Sequence, residues 1–459
     1  MTSVAELGGL RDQITGGVVA PDDPDYDEVR AVYNAMIDRR PALIARCRTT
    51  ADVRAALEAG RRAGLPIAVR GGGHNGPGFG TVDGGIVIDL SPMHAVDVDP
   101  GRRTVRVQGG ATAGMLDAAT HEHGLATPTG IISTTGLGGL TLGGGHGYLS
   151  RRHGLTIDNL LEAEVVLADG TTVTASESEH PDLFWALRGG GGNFGIVTSF
   201  TFKLHPVRNV ICGPTAWPVS ATRDVLTWYR DFLPAQDDDL YGFFATMTVP
   251  PAEPFPEPFH LHKACAVVWC YLGDPDNAAE AFAPVRAMEP AWDGTGEAPY
   301  PALQSAFDGL YPRGLQWYWR GDFVRTVPDA AVDAHVHFAE ELPSMHSTMH
   351  LYPIDGAVNR VGADDTAWAY RDVTYSQVIV GVDPDPAKAP ALKQWAVDYW
   401  EATHPYSAGA AYQNFMMDDE GQDRVQATFG SHYDRLAEIK ATYDPTNVFR
   451  INQNIRPAG

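Results

Sequence analysis

The sequence predicts an α+β fold organised in two domains. Up to about Pro206, helical and strand-like segments alternate, and glycine-rich turns separate them. From Val207 onwards glycine becomes rarer, aromatic residues become more frequent, and strand-like runs interleave with helical patterns. Such interleaving is typical of an antiparallel sheet with helices packed on one face. We therefore expect one domain over residues 1–206 and a second domain over residues 207–410.

A helix and several short strands are predicted in the first domain. Val53, Ala56 and Leu57 have helical spacing and follow the capping residues Thr49 and Thr50. Short β-rich runs come after this helix, and an Asp-Gly turn joins the last two of them as in a hairpin. These runs comprise residues 66–69, 86–88, 104–107, 164–167 and 172–174.

The second domain is predicted to contain five strands and two helices. Strands are expected at residues 241–248, 264–272, 315–323, 349–354 and 374–380, where β-branched and aromatic residues are frequent. Helices are expected at residues 332–342 and 391–403. The aromatic run Trp317–Trp319 has two interpretations, as packed sheet core or as a surface on which a planar molecule stacks.

Composition argues against several classes of partner. The chain has 459 residues and a net charge of −23, which repels nucleic acids and anionic membranes. It contains no apolar run of 18 residues, so no membrane span is expected. Met1–Glu6 lacks the basic and apolar regions of a secretory signal, which predicts a cytoplasmic protein. Nothing in the sequence indicates the oligomeric state.

Cysteine and histidine spacing predicts neither disulfides nor a metal site. Cys47, Cys212, Cys265 and Cys270 are sparse and unpatterned, so buried, reduced thiols are expected. The histidine pairs are not accompanied by acidic or cysteine ligands at metal-binding spacing. These pairs lie at residues 121/123, 260/262, 335/337 and 346/350.

Two glycine-rich loops indicate a bound, phosphate-bearing cofactor. Arg70–Asn75 reads Arg-Gly-Gly-Gly-His-Asn and follows a strand-like run, and Gly136–Gly147 contains seven glycines in twelve residues. Glycine lets backbone N–H groups approach an anionic group closely. Neither loop continues into Gly-Lys-Ser/Thr, and neither fits the Gly-x-Gly-x-x-Gly dinucleotide pattern that opens a helix. The two loops together suggest a long cofactor with His74 near its reactive end.

Six motifs in a fixed order resemble those of berberine-bridge-enzyme-like flavoproteins of the vanillyl-alcohol-oxidase superfamily. The resemblance covers nearly the whole chain. It implies a two-domain PCMH-type FAD-binding fold, in which residues 411–459 return to complete the FAD-binding domain around an inserted substrate domain. The motifs lie at Arg70–Asn75, Gly136–Gly147, Arg151–Asn159, Leu187–Val197, Tyr412–Phe415 and Tyr443–Arg450.

The resemblance implies FAD attached covalently through the imidazole of His74. A second bond, to a cysteine, is common in the family, but Ile132 occupies that position here and cannot form a thioether. We therefore expect a single attachment. The residues implied to bind the cofactor are His74, Arg70, Gly71, Gly72, Gly73, Asn75, Ser133, Thr134, Thr135, Gly138, Gly139, Gly143, Gly145, His146, Asn159, Gly195, Val197, Tyr412, Asn414 and Asn452.

The catalytic residues are harder to predict than the cofactor residues. Family members often have Tyr-x-Asn-Tyr, whose second tyrosine is the catalytic base, but this chain has Phe415 there, which cannot accept a proton. Tyr318, His350, Asp355 and Tyr370 are the candidate replacements, each of which also has a structural interpretation. Thr135 has the family position on the oxygen-access side of the flavin, where we expect it to influence oxygen reactivity.

The predicted function is an FAD-dependent oxidase. Hydride would pass from a small organic substrate to the flavin and on to O2, and the substrate would be an alcohol, a sugar, or an aromatic, alkaloid or polyketide-type molecule. Two alternatives remain open. One is a dehydrogenase that uses an organic acceptor, and the other is a flavin-loaded binding protein without turnover, which Phe415 alone supports.

Overall fold

The computed structural model describes residues 9–253 and 255–459 and has the predicted mixed α+β architecture. Met1–Glu6, on which the expectation about a secretory signal rests, lies outside the described residues. Three main sheets and the helices around them make up the described chain. Within it, no helix is long and apolar enough to cross a membrane.

The first part of the chain, up to Pro206, forms two sheets and a short strand pair. Its strands are β1 (Val18–Val19), β2 (Leu43–Arg46), β3 (Ile67–Arg70), β4 (Ile86–Asp89), β5 (Val96–Asp99), β6 (Thr104–Gln108), β7 (Leu125–Ala126), β8 (Leu160–Val166), β9 (Thr172–Ser176), β10 (Ile196–Lys203) and β11 (His205–Pro206). Its helices are α1 (Tyr26–Arg30), α2 (Thr50–Arg62), α3 (Ala113–His121), α4 (Leu137–Gly143), α5 (Ser150–His153) and α6 (Pro181–Leu187).

The two sheets of this part differ in how their strands run. The first has the order β1-β2-β4-β3, in which β2 and β3 both pair in parallel with β4. The second, β5-β6-β10-β8-β9, is antiparallel, and its β8–β9 pair confirms the predicted hairpin. The predicted helix is α2, which the Thr49 side chain caps by accepting a hydrogen bond from the Asp52 N–H. The first glycine-rich loop leaves the carboxyl end of β3.

The middle of the chain forms an eight-stranded, antiparallel sheet with the order β15-β12-β14-β13-β18-β19-β17, to which β16 adds by pairing with β12. Its strands are β12 (Asn209–Pro218), β13 (Leu240–Thr248), β14 (Lys263–Tyr271), β15 (Trp292–Asp293), β16 (Gly296–Pro299), β17 (Gln316–Val324), β18 (Thr348–Pro353) and β19 (Tyr375–Asp383). The helices of this region are α7 (Thr222–Phe232), α8 (Ala278–Ala281), α9 (Ala283–Ala287), α10 (Tyr300–Gln304), α11 (Asp329–Glu340), α12 (Ala357–Arg360) and α13 (Ala389–Thr403).

All five predicted strands of this sheet are present, as are both predicted helices, α11 and α13. The predictions missed the strands β12, β15 and β16 and the helices α7, α8, α9, α10 and α12. Of these, β12 is the longest strand. Gly213 and Pro214 lie inside β12, and both residue types are depleted in strands, so local composition conceals it. Pairing with β14 from Ile211 to Pro218 stabilises the strand instead.

The two faces of the large sheet have different neighbours. Helices α7, α11 and α13 pack on one face, where α11 contacts both of the others. The opposite face is directed towards the first part of the chain. Successive side chains of a strand point to opposite faces. Only every second residue of each strand can therefore reach a site between the sheet and the first part of the chain.

The C-terminal segment folds back onto the first part of the chain. It contains a short 3₁₀ turn (Gln413–Phe415) and the helices α14 (Gln422–Phe429) and α15 (Tyr433–Tyr443). The buried ammonium group of Lys440 donates hydrogen bonds to the carbonyl of Asn193 at 2.6 Å, to the carboxylate of Asp444 at 2.8 Å and to the carbonyl of Phe449 at 2.8 Å. These hydrogen bonds connect two of the sequence motifs, Leu187–Val197 and Tyr443–Arg450.

Candidate active site

A cavity of about 360 Å³ lies between the glycine-rich loops and the face of the large sheet opposite α7, α11 and α13. The loop side presents mostly backbone, and the sheet side presents mostly apolar and aromatic side chains. Fifteen of the predicted cofactor residues line it, namely Arg70, Gly71, Gly72, Gly73, His74, Asn75, Thr135, Gly138, Gly139, His146, Gly195, Val197, Tyr412, Asn414 and Asn452.

The two glycine-rich loops meet backbone to backbone in the cavity wall. A Cβ added at Gly72 would lie 2.5 Å from the backbone nitrogen of Gly136, and one added at Gly136 would lie 2.2 Å from that of Gly72. Neither distance is possible for a real side chain, so both positions require glycine. Gly139 and Gly192 also line the cavity, but a Cβ on either would meet no protein atom within 4 Å. Glycine there keeps the cavity itself open.

Arg70 and Asn75 fix the shape of the first loop. The Arg70 guanidinium pairs with the buried Asp89 carboxylate at 2.9 Å and donates to the Val29 carbonyl at 2.7 Å, so its charge is matched within the protein. The Asn75 side chain accepts a hydrogen bond from the Phe79 N–H at 3.0 Å. Their polar groups therefore support the loop that holds His74.

The His74 ring is partly exposed to the cavity and held on one side by an aromatic stack. Its centroid lies 3.7 Å from that of Tyr33, and the two planes differ by 21°. Nε2 lies 3.4 Å from Oγ1 of Thr134. Burial first, and the positive charge of Arg313 second, lower the pKa of His74 to about 4. The imidazole is therefore neutral near pH 7, which is the nucleophilic form that covalent attachment requires.

Ile132 lines the cavity where the family's second attachment point is expected. All four cysteines, Cys47, Cys212, Cys265 and Cys270, are buried and reduced. None of them is among the residues that line the cavity in the described chain. Burial raises the pKa of the Cys47 thiol and of the other three thiols, which keeps them protonated and unreactive.

Ser133 and Thr134 were predicted to bind the cofactor, but neither lines the cavity. The carboxylate of Asp308 accepts hydrogen bonds from the backbone N–H and the hydroxyl of Ser133, which holds that side chain away from the cavity. Thr134 contacts the His74 ring instead. Both residues therefore act on the loop geometry and on His74.

Gly143 and Gly145 also lie behind the cavity wall. A Cβ at Gly143 would lie 2.3 Å from Nδ2 of Asn414, so glycine allows the C-terminal segment to approach α4. The Gly145 N–H donates to the Tyr412 hydroxyl at 3.1 Å. The two glycines position Asn414 and Tyr412, which do line the cavity.

Asn159 lies outside the cavity, and its predicted cofactor contact is wrong. Its amide donates to the carbonyls of His153 at 2.8 Å and Leu155 at 2.9 Å, and its oxygen lies 2.6 Å from Nε2 of His205. The side chain is thus used entirely in tying the end of α5 to β11. In this chain Asn159 therefore has a structural role. The sequence motif alone does not show whether the side chain contacts the protein or a ligand.

Tyr318 is excluded as a catalytic base by strand parity. Trp317 and Trp319 face the cavity from β17, so the residue between them faces the helices. There the Tyr318 hydroxyl donates to the Asp419 carboxylate at 3.0 Å, and the Lys393 ammonium of α13 lies 5.2 Å from its ring centroid. Each of the two interpretations of this aromatic run thus applies to part of it. The two tryptophans line the cavity, and the tyrosine packs on the helix-covered face.

Asp355 and Tyr370 are also wrong as candidate bases. Asp355 forms an ion pair at 2.8 Å with the buried guanidinium of Arg151, and it lines no part of the cavity. The Tyr370 hydroxyl donates to the carbonyl of Ala427 at 2.6 Å. Both side chains join the large sheet region to other parts of the chain, so their polar groups are engaged in structure.

His350 is the one original base candidate on the substrate side that lines the cavity. Its Nδ1 is hydrogen-bonded to the hydroxyl of Tyr352, two residues further along β18 and on the same face. Tyr352 is not among the residues predicted from the sequence. The signal that could have identified it is the His-x-Tyr spacing within a predicted strand, which places both side chains on one face.

Tyr412, Asn414 and His146 form an aromatic and polar corner beside this pair. The Asn414 amide donates to the Tyr412 hydroxyl at 2.7 Å. The buried His146 ring lies 4.8 Å from the Tyr412 ring and 5.5 Å from that of Phe415. Burial lowers the pKa of His146 to about 3, so the ring is neutral.

Unpartnered polar atoms along the cavity fit a bound cofactor. Both ring nitrogens of His146, Oδ1 of Asn452 and Nε1 of Trp319 are buried and have no hydrogen-bond partner within the described chain. Leaving such groups unpaired is unfavourable, so polar groups of a bound molecule are expected to meet them. Bare backbone on one side and aromatic side chains on the other suit an elongated molecule with a planar end, such as FAD. No cluster of metal ligands occurs among the described residues.

Comparison with known proteins agrees with this geometry. Residues 41–176 match the FAD binding domain family, and residues 411–456 match the "Berberine and berberine like" family. The chain is 32% identical to an uncharacterised FAD-linked oxidoreductase of Bacillus subtilis, over 97% of this chain and 98% of that protein. It is 30% identical to (R)-6-hydroxynicotine oxidase of Paenarthrobacter nicotinovorans, over 97% and 98% of the two chains.

The fold is similar to that of a solved oxidase. The crystal structure of 6-hydroxy-D-nicotine oxidase from Arthrobacter nicotinovorans superimposes with a TM-score of 0.86 at 28% identity, covering 97% of this chain and 98% of that one. The similarity spans both the glycine-rich part and the large sheet.

Proposed function

Because the chain belongs to the berberine-bridge-enzyme-like FAD-linked oxidoreductases, we propose that it is an oxidase with FAD attached to His74. The enzyme would oxidise a small apolar or aromatic alcohol, and O2 would take up the electrons. FAD, when bound, supplies the acceptor for the substrate hydride. The observation that carries the proposal is a cavity that brings His74 and the bare glycine loops opposite an aromatic sheet face.

Attachment through His74 is supported by the state of its imidazole. The ring is neutral, it is oriented by its stack on Tyr33, and its Nε2 side is open towards Thr134 and the cavity. Ile132 in place of a cysteine supports a single bond. We further propose that residues 1–206 and 411–459 form the FAD-binding domain, and that residues 207–410 form the substrate domain.

The substrate class is inferred from the lining of the sheet side. Trp317, Trp319 and Phe243 line it with apolar residues of β14 and β19, and no Asp, Glu or Lys lines the described cavity. An oligosaccharide would need many hydrogen-bond partners in the wall, because unpaired hydroxyl groups are costly to bury. A flat, mostly apolar molecule satisfies this wall, and stacks on its aromatic side chains. These features favour aromatic alcohols over sugars.

Thr135 lines the cavity and supports the oxidase assignment. Its side chain is compact, and it directly precedes Gly136, the glycine that abuts the first loop. A small residue at this place leaves room for a diatomic molecule. The dehydrogenase and the non-catalytic binding protein remain the competing functions.

Acid precipitation tests the covalent bond. Wild-type protein should stay yellow in the pellet, and peptide mapping should find flavin on the His74 peptide alone. In His74→Ala the colour should move to the supernatant, whereas in the matched control His94→Ala, an exposed histidine outside the cavity, it should remain. Colour released from the wild type, or flavin on a cysteine peptide, would contradict single attachment through His74.

Anaerobic mixing followed by air tests the reaction. Benzyl, cinnamyl, vanillyl and coniferyl alcohols and cellobiose serve as probes. An oxidase should lose its flavin absorbance with at least one aromatic alcohol, recover it rapidly in air and release hydrogen peroxide. Bleaching that air barely reverses would indicate a dehydrogenase. Bleaching by cellobiose alone would refute the substrate class, and no bleaching by any probe would favour a binding protein.

A further inference from the structure

Three polar residues of β18, Thr348, His350 and Tyr352, line the cavity on a mostly apolar sheet face. The Thr348 hydroxyl donates to the carbonyl of Thr246 at 2.8 Å, whereas the His350 and Tyr352 side chains bond to each other. His350 lies opposite Ala245 of β13 on one side and Val378 of β19 on the other, and both neighbours are small enough to leave its ring accessible from the cavity. The hydroxyl of Tyr352 is hydrogen-bonded to Nδ1 of His350. In the tautomer that carries its proton on Nε2, Nδ1 is the acceptor, and the Tyr352 hydroxyl then directs its proton to the imidazole.

The Tyr352 ring lies beside the C-terminal segment. Its centroid is 5.9 Å from that of Phe415 and 5.2 Å from that of His146, and it is 5.0 Å from Phe243. Phe415 carries no group that can exchange a proton. Tyr352 therefore brings a hydroxyl to the part of the cavity where the C-terminal segment, the His146 loop and the sheet meet.

We propose that Tyr352 and His350 form a proton-accepting pair for the alcohol substrate, an inference that rests on the proposed oxidase function. The substrate O–H bond breaks as its proton passes to Oη of Tyr352, and the Tyr352 O–H bond breaks as its proton passes to Nδ1 of His350. The substrate C–H bond breaks as its hydride, with both electrons, leaves for the flavin. The product is the carbonyl compound, and the proton remains on His350 until it exchanges with solvent.

The surroundings of the pair suit a transient proton acceptor. Burial lowers the pKa of His350 to about 3, so the imidazole is neutral and ready to accept before the reaction. The same burial would disfavour a lasting positive charge. Hydride transfer, however, delivers negative charge into the same cavity, and opposite charges attract strongly where water is scarce. The proton is therefore stabilised on the pair during the transfer and released afterwards.

His146 is the rival proton acceptor, since its ring is buried, neutral and lines the same corner. It differs from the pair in having no protein partner at either nitrogen, within the described residues. A base without a partner is neither oriented nor able to pass its proton onward. The geometry instead suits His146 for a polar group of a bound molecule, so the observations favour Tyr352 with His350.

Single-turnover kinetics test the pair. The holoenzyme is mixed anaerobically with the aromatic alcohol that reduces it fastest among benzyl, cinnamyl, vanillyl and coniferyl alcohols. Tyr352→Phe and His350→Gln should each slow flavin reduction by roughly 10²–10⁴-fold, and the double variant should be no slower than the worse single one, because the two act as a unit. The matched control Tyr375→Phe removes a buried hydroxyl on β19 that has no partner, and it should change the rate less than threefold.

Two further measurements separate chemistry from structure. A far-downfield proton resonance of the Tyr352–His350 hydrogen bond should appear in wild type and Tyr375→Phe, and disappear in both pair variants. Flavin content and chemical reduction by dithionite should be the same in the wild type and in every variant.

The outcomes distinguish the pair from the proposed function. If the wild type oxidises an aromatic alcohol and the flavin of Tyr352→Phe is reduced at a rate within threefold of the wild-type rate, the proposed pair is wrong and the oxidase assignment stands. Loss of turnover in His146→Gln with both pair variants active would assign the proton to His146. A wild type that oxidises no aromatic alcohol would overturn the proposed substrate class, and the pair with it.

Discussion

Replacing Gly139 by alanine should affect the flavin-free and the flavin-bound protein in opposite directions. Gly139 lies within α4, where Gly→Ala stabilises a helix by about 0.5–1 kcal/mol. Its added Cβ would meet no protein atom within 4 Å, so the flavin-free protein should gain this stability. If FAD occupies the open space, the same methyl group crowds it, and overpacking of this kind costs about 1–3 kcal/mol. That free energy corresponds to about a 5–150-fold loss of cofactor affinity.

Affinity is best measured where binding is reversible. In a His74→Ala background FAD binds without a covalent bond, and titration of the flavin-free protein compares His74→Ala with His74→Ala/Gly139→Ala. Thermal unfolding of the flavin-free proteins measures the helix effect. Gly296→Ala is the matched control, since Gly296 lies in β16 outside the cavity, and a Cβ there also meets no atom within 4 Å. It should leave FAD affinity unchanged.

Two results would refute this reasoning. Equal FAD affinity with and without the Gly139 methyl group would show that the cofactor does not occupy the space beside α4. A loss of stability in the flavin-free Gly139→Ala protein would show that the space is needed by the protein itself. Gly136→Ala provides the contrasting case, because its Cβ would lie 2.2 Å from the Gly72 nitrogen and should destabilise the protein even without FAD.

Three further predictions concern oxygen access, an ion pair and a buried acid. Thr135→Ile should slow reoxidation of the reduced enzyme by O2 at least tenfold and change substrate-driven reduction much less, as stopped-flow absorbance would show; equal reoxidation rates would remove this role. Asp355→Ala should lower the free energy of unfolding by about 3 kcal/mol, because it leaves the buried Arg151 charge unpaired, yet should change flavin reduction per bound flavin less than tenfold. Burial raises the pKa of Asp117 from 3.8 to about 7 in the folded protein, so stability is lost as pH rises through this range. Asp117→Asn should therefore raise the melting temperature more at pH 8 than at pH 5, and an equal effect at both would contradict the assigned cause.

The sequence by itself determined the features that depend on short-range chemistry. Glycines are needed where backbone must approach backbone or a ligand. Those of Arg70–Asn75 line the cavity, as do Gly136, Gly138 and Gly139 of the second loop, whereas the later glycines of that loop do not. Helix α2 and the β8–β9 hairpin follow from local caps and turns. The aromatic strands were visible because strand-forming residues are frequent in each. Membership of the flavoprotein family followed from the order of the motifs.

The tertiary structure alone decided which side chains of the large sheet reach the site. Tyr318 and His350 both lie on strands with similar composition, but helices cover the face of Tyr318 and the cavity opens on that of His350. The sequence shows that successive side chains of a strand point to opposite faces, but it does not show which face the helices cover. That depends on how α7, α11 and α13, which lie elsewhere in the chain, pack on the sheet. The same holds for Asp355, whose partner Arg151 lies 204 positions away in sequence. Contacts between residues that are distant in sequence are not encoded in any local pattern. Only these contacts distinguish the polar residues with a structural role from the pair that we assign to proton transfer.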